Sequence, residues 1–298
     1  LDALTAFSIR VVSAGLLYLS QVALARWMGS FEYGIYVFVW TWVLLLGGLS
    51  HAGLGLAMIR LVPMHRETGD LEGLRGLLLG GRLAAAAIST IVAIVAGVLV
   101  WQFGARLSDH YALPVALALF CLPMFTLTEV HDGIGRGGGW MAAALLPPYV
   151  LRPLLLLLAM MGATSVGLPA NAVTAAGAAI AATWLTGIVQ LVWIEARLSR
   201  MVPAGPRSYR PSMWAGTAWP LMLIGGCEMV LQNADVLIVS RFLSPVDVGI
   251  YFAAAKTMSL IMFVHYAVGS AVANRFATLH ARGDEVALRA FAADAVRW

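Results

Sequence analysis

The chain has 298 residues, 61% of them hydrophobic and 11% charged, with a formal net charge of +4 and a mean hydropathy of +0.85. Soluble domains carry about 25% charged residues, so these values exclude a water-soluble globular fold and require hydrocarbon as solvent. The charge comes from 18 Arg and one Lys dispersed among apolar runs, which excludes a clustered nucleic-acid face, and Cys121 and Cys227 sit singly in apolar runs, giving neither a disulfide framework nor a metal site.

Apolar runs of spanning length lie at about 5–28, 35–61, 82–104, 112–131, 141–162, 171–194, 214–240 and 248–273. They predict eight membrane-spanning helices, because lipid cannot satisfy an unpaired backbone amide. With the N-terminus in the cytoplasm, the inward loops carry Arg60, Arg66, Arg75, Arg82, Arg136, Arg197, Arg200, Arg207, Arg210, Arg275, Arg282 and Arg289, and the outward loops only Arg26, Arg106 and Arg241. Twelve against three follows the positive-inside rule and selects that orientation. Tryptophans such as Trp27, Trp101, Trp140 and Trp214 fall near span ends, where amphipathic rings settle. Ala23-Leu24-Ala25 resembles a signal-peptidase site, but Arg10 interrupts the run before it.

In chain order, the residues that could carry chemistry begin with Arg10, early in span one. His51 is a lone histidine in an apolar run, for which packing is the default reading. Glu129, His131 and Asp132 close span four; they lack a second ligand pair for a metal and read as a solvated helix end. Gly133-Ile-Gly-Arg-Gly-Gly-Gly139 lacks the Gly-Lys-Ser/Thr ending of a phosphate loop and reads as a flexible cytoplasmic hinge. Arg152 lies inside span five, and Glu228 and Asp235, seven residues apart, share one face of span seven. Lys256, the sole lysine, lies about nine residues into span eight, and His265 is a second lone histidine in that run. Ionisable residues in hydrocarbon are costly and mark functional sites. Arg152, Lys256 and Arg10 therefore read as fixed positive charge for a pyrophosphate or acidic sugar, and Glu228 and Asp235 as ion-coupling carboxylates. No catalytic triad order is visible.

An internal repeat organises the chain. Arg26-Trp-Met-Gly-Ser-Phe-Glu-Tyr-Gly-Ile-Tyr36 corresponds, at an offset of 215, to Arg241-Phe-Leu-Ser-Pro-Val-Asp-Val-Gly-Ile-Tyr251. Gly69-Asp-Leu-Glu-Gly-Leu-Arg75 matches Gly283-Asp-Glu-Val-Ala-Leu-Arg289 at nearly the same offset. Six spans, an even number, separate the copies, so both run the same way through the bilayer, as in parallel repeats related by an axis along the membrane normal. The expected architecture is an all-α polytopic protein of two six-helix lobes around a central cavity. The first lobe covers 1–198, a cytoplasmic linker 199–213, and the start of the second lobe 214–298, with spans seven, eight and the beginning of nine. The second lobe is expected to be truncated, with the natural chain longer by about three to five spans.

The run Leu24-Ala-Arg-Trp-Met-Gly-Ser-Phe-Glu-Tyr-Gly-Ile-Tyr36, Gly53-Leu-Gly55 with Arg60, Asp235-Val-Leu-Ile-Val-Ser-Arg-Phe-Leu-Ser244 and Val248-Gly-Ile-Tyr-Phe-Ala-Ala-Ala-Lys256 carry a family resemblance. The chain resembles the polysaccharide-transport, O-antigen flippase-like branch of the multidrug/oligosaccharidyl-lipid/polysaccharide exporter superfamily. The resemblance implies a bacterial inner-membrane flippase that moves undecaprenyl-pyrophosphate-linked oligosaccharide, a lipopolysaccharide or polysaccharide precursor, to the outer leaflet by alternating access. It implies no cofactor and no ATPase domain, an ion gradient as drive, and glycan polymerases or glycosyltransferases as partners beside membrane lipids. A multidrug or peptidoglycan-precursor exporter of the same superfamily is the nearest alternative. A membrane-embedded sugar polymerase or ligase is a weaker one, since the outward loops are too short to carry catalytic residues.

Overall fold

A computed structural model describes residues 2–103, 109–258, 287 and 291, with the backbone alone for 2–8, 10 and 109. The side chain of Arg10, the residues Arg106, His265, Arg275, Arg282 and Arg289, the expected span eight beyond residue 258 with the start of span nine, and the 283–289 copy of the second repeat match apart from Ala287 lie outside what is described. The chain divides into two compact units, Leu1–Ala253 and Ala254–Trp298. Among the described residues the secondary structure is helical throughout.

Among the described residues six stretches are long and apolar enough to cross a membrane: Val11–Glu67, Leu71–Phe103, His110–Gly137, Met141–Ser165, Ala172–Met201 and Pro211–Phe242. The first supplies two crossings. Its leading helix, α1 (Asp2–Ser50), breaks at Gly29, where φ is 75° and ψ 166°. Glycine takes that backbone without a Cβ penalty. The Tyr33 hydroxyl donates to Gln21 Oε1 at 3.0 Å, and twelve residues of straight helix would hold these groups about 18 Å apart along the axis. The two arms, residues 2–28 and 30–50, therefore fold back on each other as spans one and two.

Span two continues past a second break into α2 (Leu54–Glu67). His51, Ala52 and Gly53 form a turn in which Ala52 has φ 48° and Gly53 φ 75°. The remaining spans are α3 (Leu71–Phe103); α4 (Asp109–Ala118) joined by a 3-10 turn to α5 (Leu122–Gly137); α6 (Met141–Leu146) joined by a π turn at Pro147–Leu151 to α7 (Arg152–Ser165); and α8 (Ala172–Met201). Then come α9 (Pro211–Phe242) and α10, residues 245–258.

Close approaches fix the directions of these helices. Along α5, Phe125 meets Gly47, Glu129 meets Gly55, Gly133 meets Gly55 and Met58, and Gly137 meets Met58 and Val62. Both chains advance together, so α5 runs parallel to span two through the 51–53 break. Along α8, Gly187 meets Thr128 and Ile194 meets Gly135, so α8 is parallel to α5. Spans two, four and six thus share one direction, as an alternating six-helix lobe requires. Span seven is antiparallel to span two: Gly53 meets Ala218 and Met222, Gly48 meets Met229, and Gly34 meets Pro245. Spans one and seven therefore run the same way, as the repeat predicts.

Packing inside this unit uses small residues, because lipid tails supply no hydrophobic drive between helices. The buried face of α8 is Ala172, Ala175, Ala176, Ala178, Ala179, Ala182, Thr183, Thr186, Gly187 and Gln190. Thr126 donates to the Gly47 carbonyl at 3.1 Å and locks α5 to span two. The expectation of a glycine hinge at 133–139 is overturned. Residues 133–137 are the last turn of α5, and Gly133, Gly135 and Gly137 let its backbone press on α2, α6 and α8. Glycine marks close approach here, and Gly138 and Gly139, the latter at φ 78°, form the turn that follows.

The repeated hairpins meet each other. A Cβ placed on Gly34 would stand 1.7 Å from the Pro245 carbonyl oxygen, and one on Gly249 would stand 2.8 Å from that of Ser30. Gly249 is the repeat partner of Gly34, and Pro245 that of Ser30. Each copy thus touches its partner with the same two positions, the reciprocal pattern that a two-fold axis produces. The acidic repeat positions both cap helix starts. Glu32 accepts from the Ala172 amide at the head of α8 (2.8 Å), and Asp247 accepts from the Ser244 hydroxyl (2.6 Å) at the head of α10.

Candidate substrate cleft

Span two, α5 and α9 enclose a cavity of about 230 Å³. The break in span two brings its wall there, with Gly48, His51, Gly55 and Leu56. The His51 Nδ1 accepts the Gly53 amide at 3.0 Å, which holds the turn open on that side. Backbone irregularity at membrane depth is tolerated where it lines a cavity. From α5 come Glu129, Asp132 and Arg136, spaced to lie on one helical face. From α9 come Leu221, Met222, Gly225, Gly226, Glu228, Met229 and Gln232. Gly48, Gly55, Gly225 and Gly226 each stand where a Cβ would press on the opposite helix, so bare backbone forms much of the floor.

Asp132 and Arg136 form an ion pair one turn apart, with the Asp132 side chain only 4% exposed. Gln232 Nε2 donates to Glu228 Oε1 at 3.1 Å, and Glu228 is exposed to the cleft rather than enclosed in protein. The charged lining from the described residues is Glu129, Asp132 and Glu228 against Arg136. His131 and Asp132, read from sequence as a solvated helix end, are instead buried at 0% and 3% exposure, because α5 continues a further turn past them and α2, α3 and α8 cover it.

The other residues singled out from sequence take separate places. Arg152 lies where the π turn gives way to α7, its guanidinium 4.9 Å from the Phe125 ring centre and 5.8 Å from that of Trp40. Glu129 acts electrostatically on both Arg136 and Arg152, linking the cleft to this aromatic seat. Asp235 lies two turns beyond Glu228 on α9 and accepts from the Tyr251 hydroxyl of α10 at 2.9 Å. Lys256 belongs to the second compact unit and has an interaction of its own. Arg10 is on α1, with its backbone alone described.

Glu129, Asp132, Arg136, His51 and Gln232 were not picked out as cleft residues from the sequence. The available signal was the spacing of 129, 132 and 136 on one face of an otherwise apolar helix, the pattern a cavity wall leaves. Among the described residues no three His, Cys, Asp or Glu side chains gather as metal ligands would.

At the end of this lobe that carries the α2–α3 turn, the linker after α8 is strapped down. Arg75 donates from Nε to the Pro203 carbonyl at 2.7 Å and from Nη1 to that of Pro206 at 3.1 Å. The Ser208 amide donates to the Glu72 carbonyl at 2.9 Å, and Arg210 pairs with Asp70 at 2.9 Å. The Gly73 amide donates to Asp70, and this bond above all, with Arg210 beside it, holds the carboxyl below its ordinary range.

Comparison with known proteins places this architecture. A solved structure described as the inward-facing conformation of a multidrug resistance MATE family transporter of the MOP superfamily matches 98% of this chain and 66% of its own, at 15% identity and a TM-score of 0.63. Another, described as protein A, matches 87% of this chain and 60% of its own at 14% identity and a TM-score of 0.56. The chain thus spans less than two thirds of each solved chain, and at these identities the likeness establishes the fold, that of a MATE-type transporter. Among curated proteins nothing matches. The model of the polysaccharide biosynthesis protein family matches residues 2–279, so this multi-pass membrane chain belongs to that family.

Proposed function

We propose that this chain is the larger part of a flippase that carries a lipid-linked oligosaccharide, of the undecaprenyl-pyrophosphate type, from the inner to the outer leaflet of a bacterial cytoplasmic membrane, as a transporter and not an enzyme. The reciprocal contact of Gly34 and Gly249 carries this reading. It relates the 26–36 hairpin to the 241–251 hairpin by a two-fold axis, beside a cleft with ionisable walls, a geometry that suits alternating access. The family description adds the link to polysaccharide synthesis, and the arginine asymmetry supports an N-terminus in the cytoplasm.

In this reading Arg152, Lys256 and Arg10 offer positive charge to the pyrophosphate, with Arg136 as a further cation on the cleft itself. Glu228, exposed on the cleft, and Asp235, further along the same helix, exchange the coupling ion. The sugar moves through the cleft, and a cavity of about 230 Å³ is below the roughly 300–1,000 Å³ of ordinary ligand pockets, so it takes a part of the glycan at a time. A multidrug-type exporter is the second reading, favoured by the predominance of carboxylates in the lining.

The test is reconstitution of the natural full-length protein in liposomes with a fluorescent lipid-linked oligosaccharide placed in one leaflet and no ATP. The expected result is loss of leaflet asymmetry that depends on an ion gradient and falls at least tenfold in Glu228→Gln. Transport of cationic dyes with no movement of the lipid-linked sugar would overturn the reading in favour of the second one. Normal flipping by Arg152→Ala combined with Lys256→Ala would remove the phosphate assignment alone.

A further inference from the structure

The back of α5, away from the cleft, carries polar chemistry that transport does not use. At 100° per residue His131 points well away from the mean direction of Glu129, Asp132 and Arg136. It is 0% exposed, and neither ring nitrogen has a hydrogen-bond partner among the described residues. The parallel packing of α5 and α8 sets Gly187 beside Thr128 and, seven residues on in both helices, Ile194 beside Gly135. That register brings His131 level with Gln190, with Thr186 one turn earlier on α8.

Gln190 and Thr186 are both 0% exposed, and the Gln190 Oε1 and Thr186 Oγ1 likewise lack partners among the described residues. Gln190 is anchored at its other end, where Nε2 donates to the Ala144 carbonyl of α6 at 3.0 Å, so its oxygen is held in place. From α3, Arg82 reaches over to pair with Glu195 at 2.9 Å and acts electrostatically on His131, while its Nε and Nη2 remain buried without partners. Leaving one such buried group unsatisfied costs about 1–3 kcal/mol, and here several converge from three helices.

We propose that His131, Thr186, Gln190 and Arg82 bind a small cluster of ordered water inside the first lobe, separated from the cleft by the body of α5. The ligand class follows from the donor and acceptor inventory. Arg82 presents three N–H donors from Nε and Nη2, Gln190 an acceptor, His131 one of each, and Thr186 a hydroxyl that does both. An anion would match Arg82 and meet the lone pairs of Gln190 and His131. A metal ion would meet the guanidinium charge. Water donates and accepts equally and makes about three bonds per molecule in such sites. The cluster bridges α3, α5 and α8, so α5 can shift its cleft face without stranding a buried polar atom on its back.

The test is radiolytic footprinting of the purified protein, in which hydroxyl radicals formed from bound water oxidise the side chains next to it within milliseconds. Met58 and Met160, equally buried at 0% exposure in apolar clusters, are dry references and react more readily once water is present. The expected result is oxidation of His131 at least tenfold faster than of Met58 and Met160, falling to their level in Thr186→Val combined with Gln190→Leu. Circular dichroism of that variant checks that it stays folded. His131 as unreactive as the two methionines overturns the proposal. So does labelling that is undiminished in the folded double variant, since the water would then be held by other groups.

Discussion

Replacing Gly34 by alanine tests the two-fold relation of the hairpins. The new Cβ would stand 1.7 Å from the Pro245 carbonyl oxygen, against an ordinary contact of 3.4 Å or more, and the obstacle is backbone, which cannot rotate aside. Overpacking of this kind costs about 1–3 kcal/mol or more, which shifts the balance between joined and parted hairpins by roughly 5- to 150-fold. Gly249→Ala meets the Ser30 carbonyl at 2.8 Å and should act in the same direction but less. Gly177→Ala, with nothing within 4 Å, is the neutral control. Spin labels at Phe31 and Asp247, both exposed, in a Cys227→Ser background report the spacing of the hairpins by electron paramagnetic resonance. The wild type should give one short distance, Gly249→Ala a mixture, and Gly34→Ala mostly longer distances with a lowered melting temperature. A Gly34→Ala protein with wild-type spacing and stability would refute the claim that these glycines hold the two copies together.

Three further outcomes are expected. Because the Asp70 carboxyl titrates below its ordinary range, its contribution is complete above about pH 4 and is lost as pH falls through the depressed value. The protection factor of the Ser208 amide, taken against the intrinsic exchange rate at each pH, should fall in that acid window, and in Asp70→Asn it should be low at neutral pH and unchanged by acid. Arg152→Ala removes a guanidinium seated on Phe125 and Trp40 and should destabilise the protein by about 1–2 kcal/mol, with Arg152→Lys retaining part, as read by thermal melting in detergent. Gly53→Ala places a Cβ 2.1 Å from the Ala218 carbonyl at a residue with φ 75°, and should cost about 2–4 kcal/mol, the strain and the clash together; a melting temperature within error of wild type would contradict the packing of α9 on the break.

The single exposed cysteine gives these measurements a convenient handle. Cys227 faces outward from α9 beside cleft residues Gly226 and Glu228, whereas Cys121 is buried against α8. Thiol labelling of Cys227 therefore reports on the side of α9 turned away from the cleft, without interference from the other sulfur.

Membrane residence, the helical class, the order of the first seven spans and the like direction of spans one and seven were legible in the sequence alone. Hydrocarbon forces closed backbone hydrogen bonding, and a span needs a fixed apolar length, so composition and run length decide these features locally. The Gly34–Gly249 repeat was equally visible as a string match, because both copies keep the same turn. What only the tertiary structure decided is which ionisable side chains share a cavity. Glu129, Asp132 and Arg136 come from span four, Glu228 from span seven and His51 from a break inside span two, and no local pattern says that these meet. The glycines of 133–137 looked like a hinge because sequence shows the missing side chain, not the neighbour that occupies its space. His131 looked solvated for the same reason: a helix end is dry when other helices cover it, and that covering is a property of the assembled lobe.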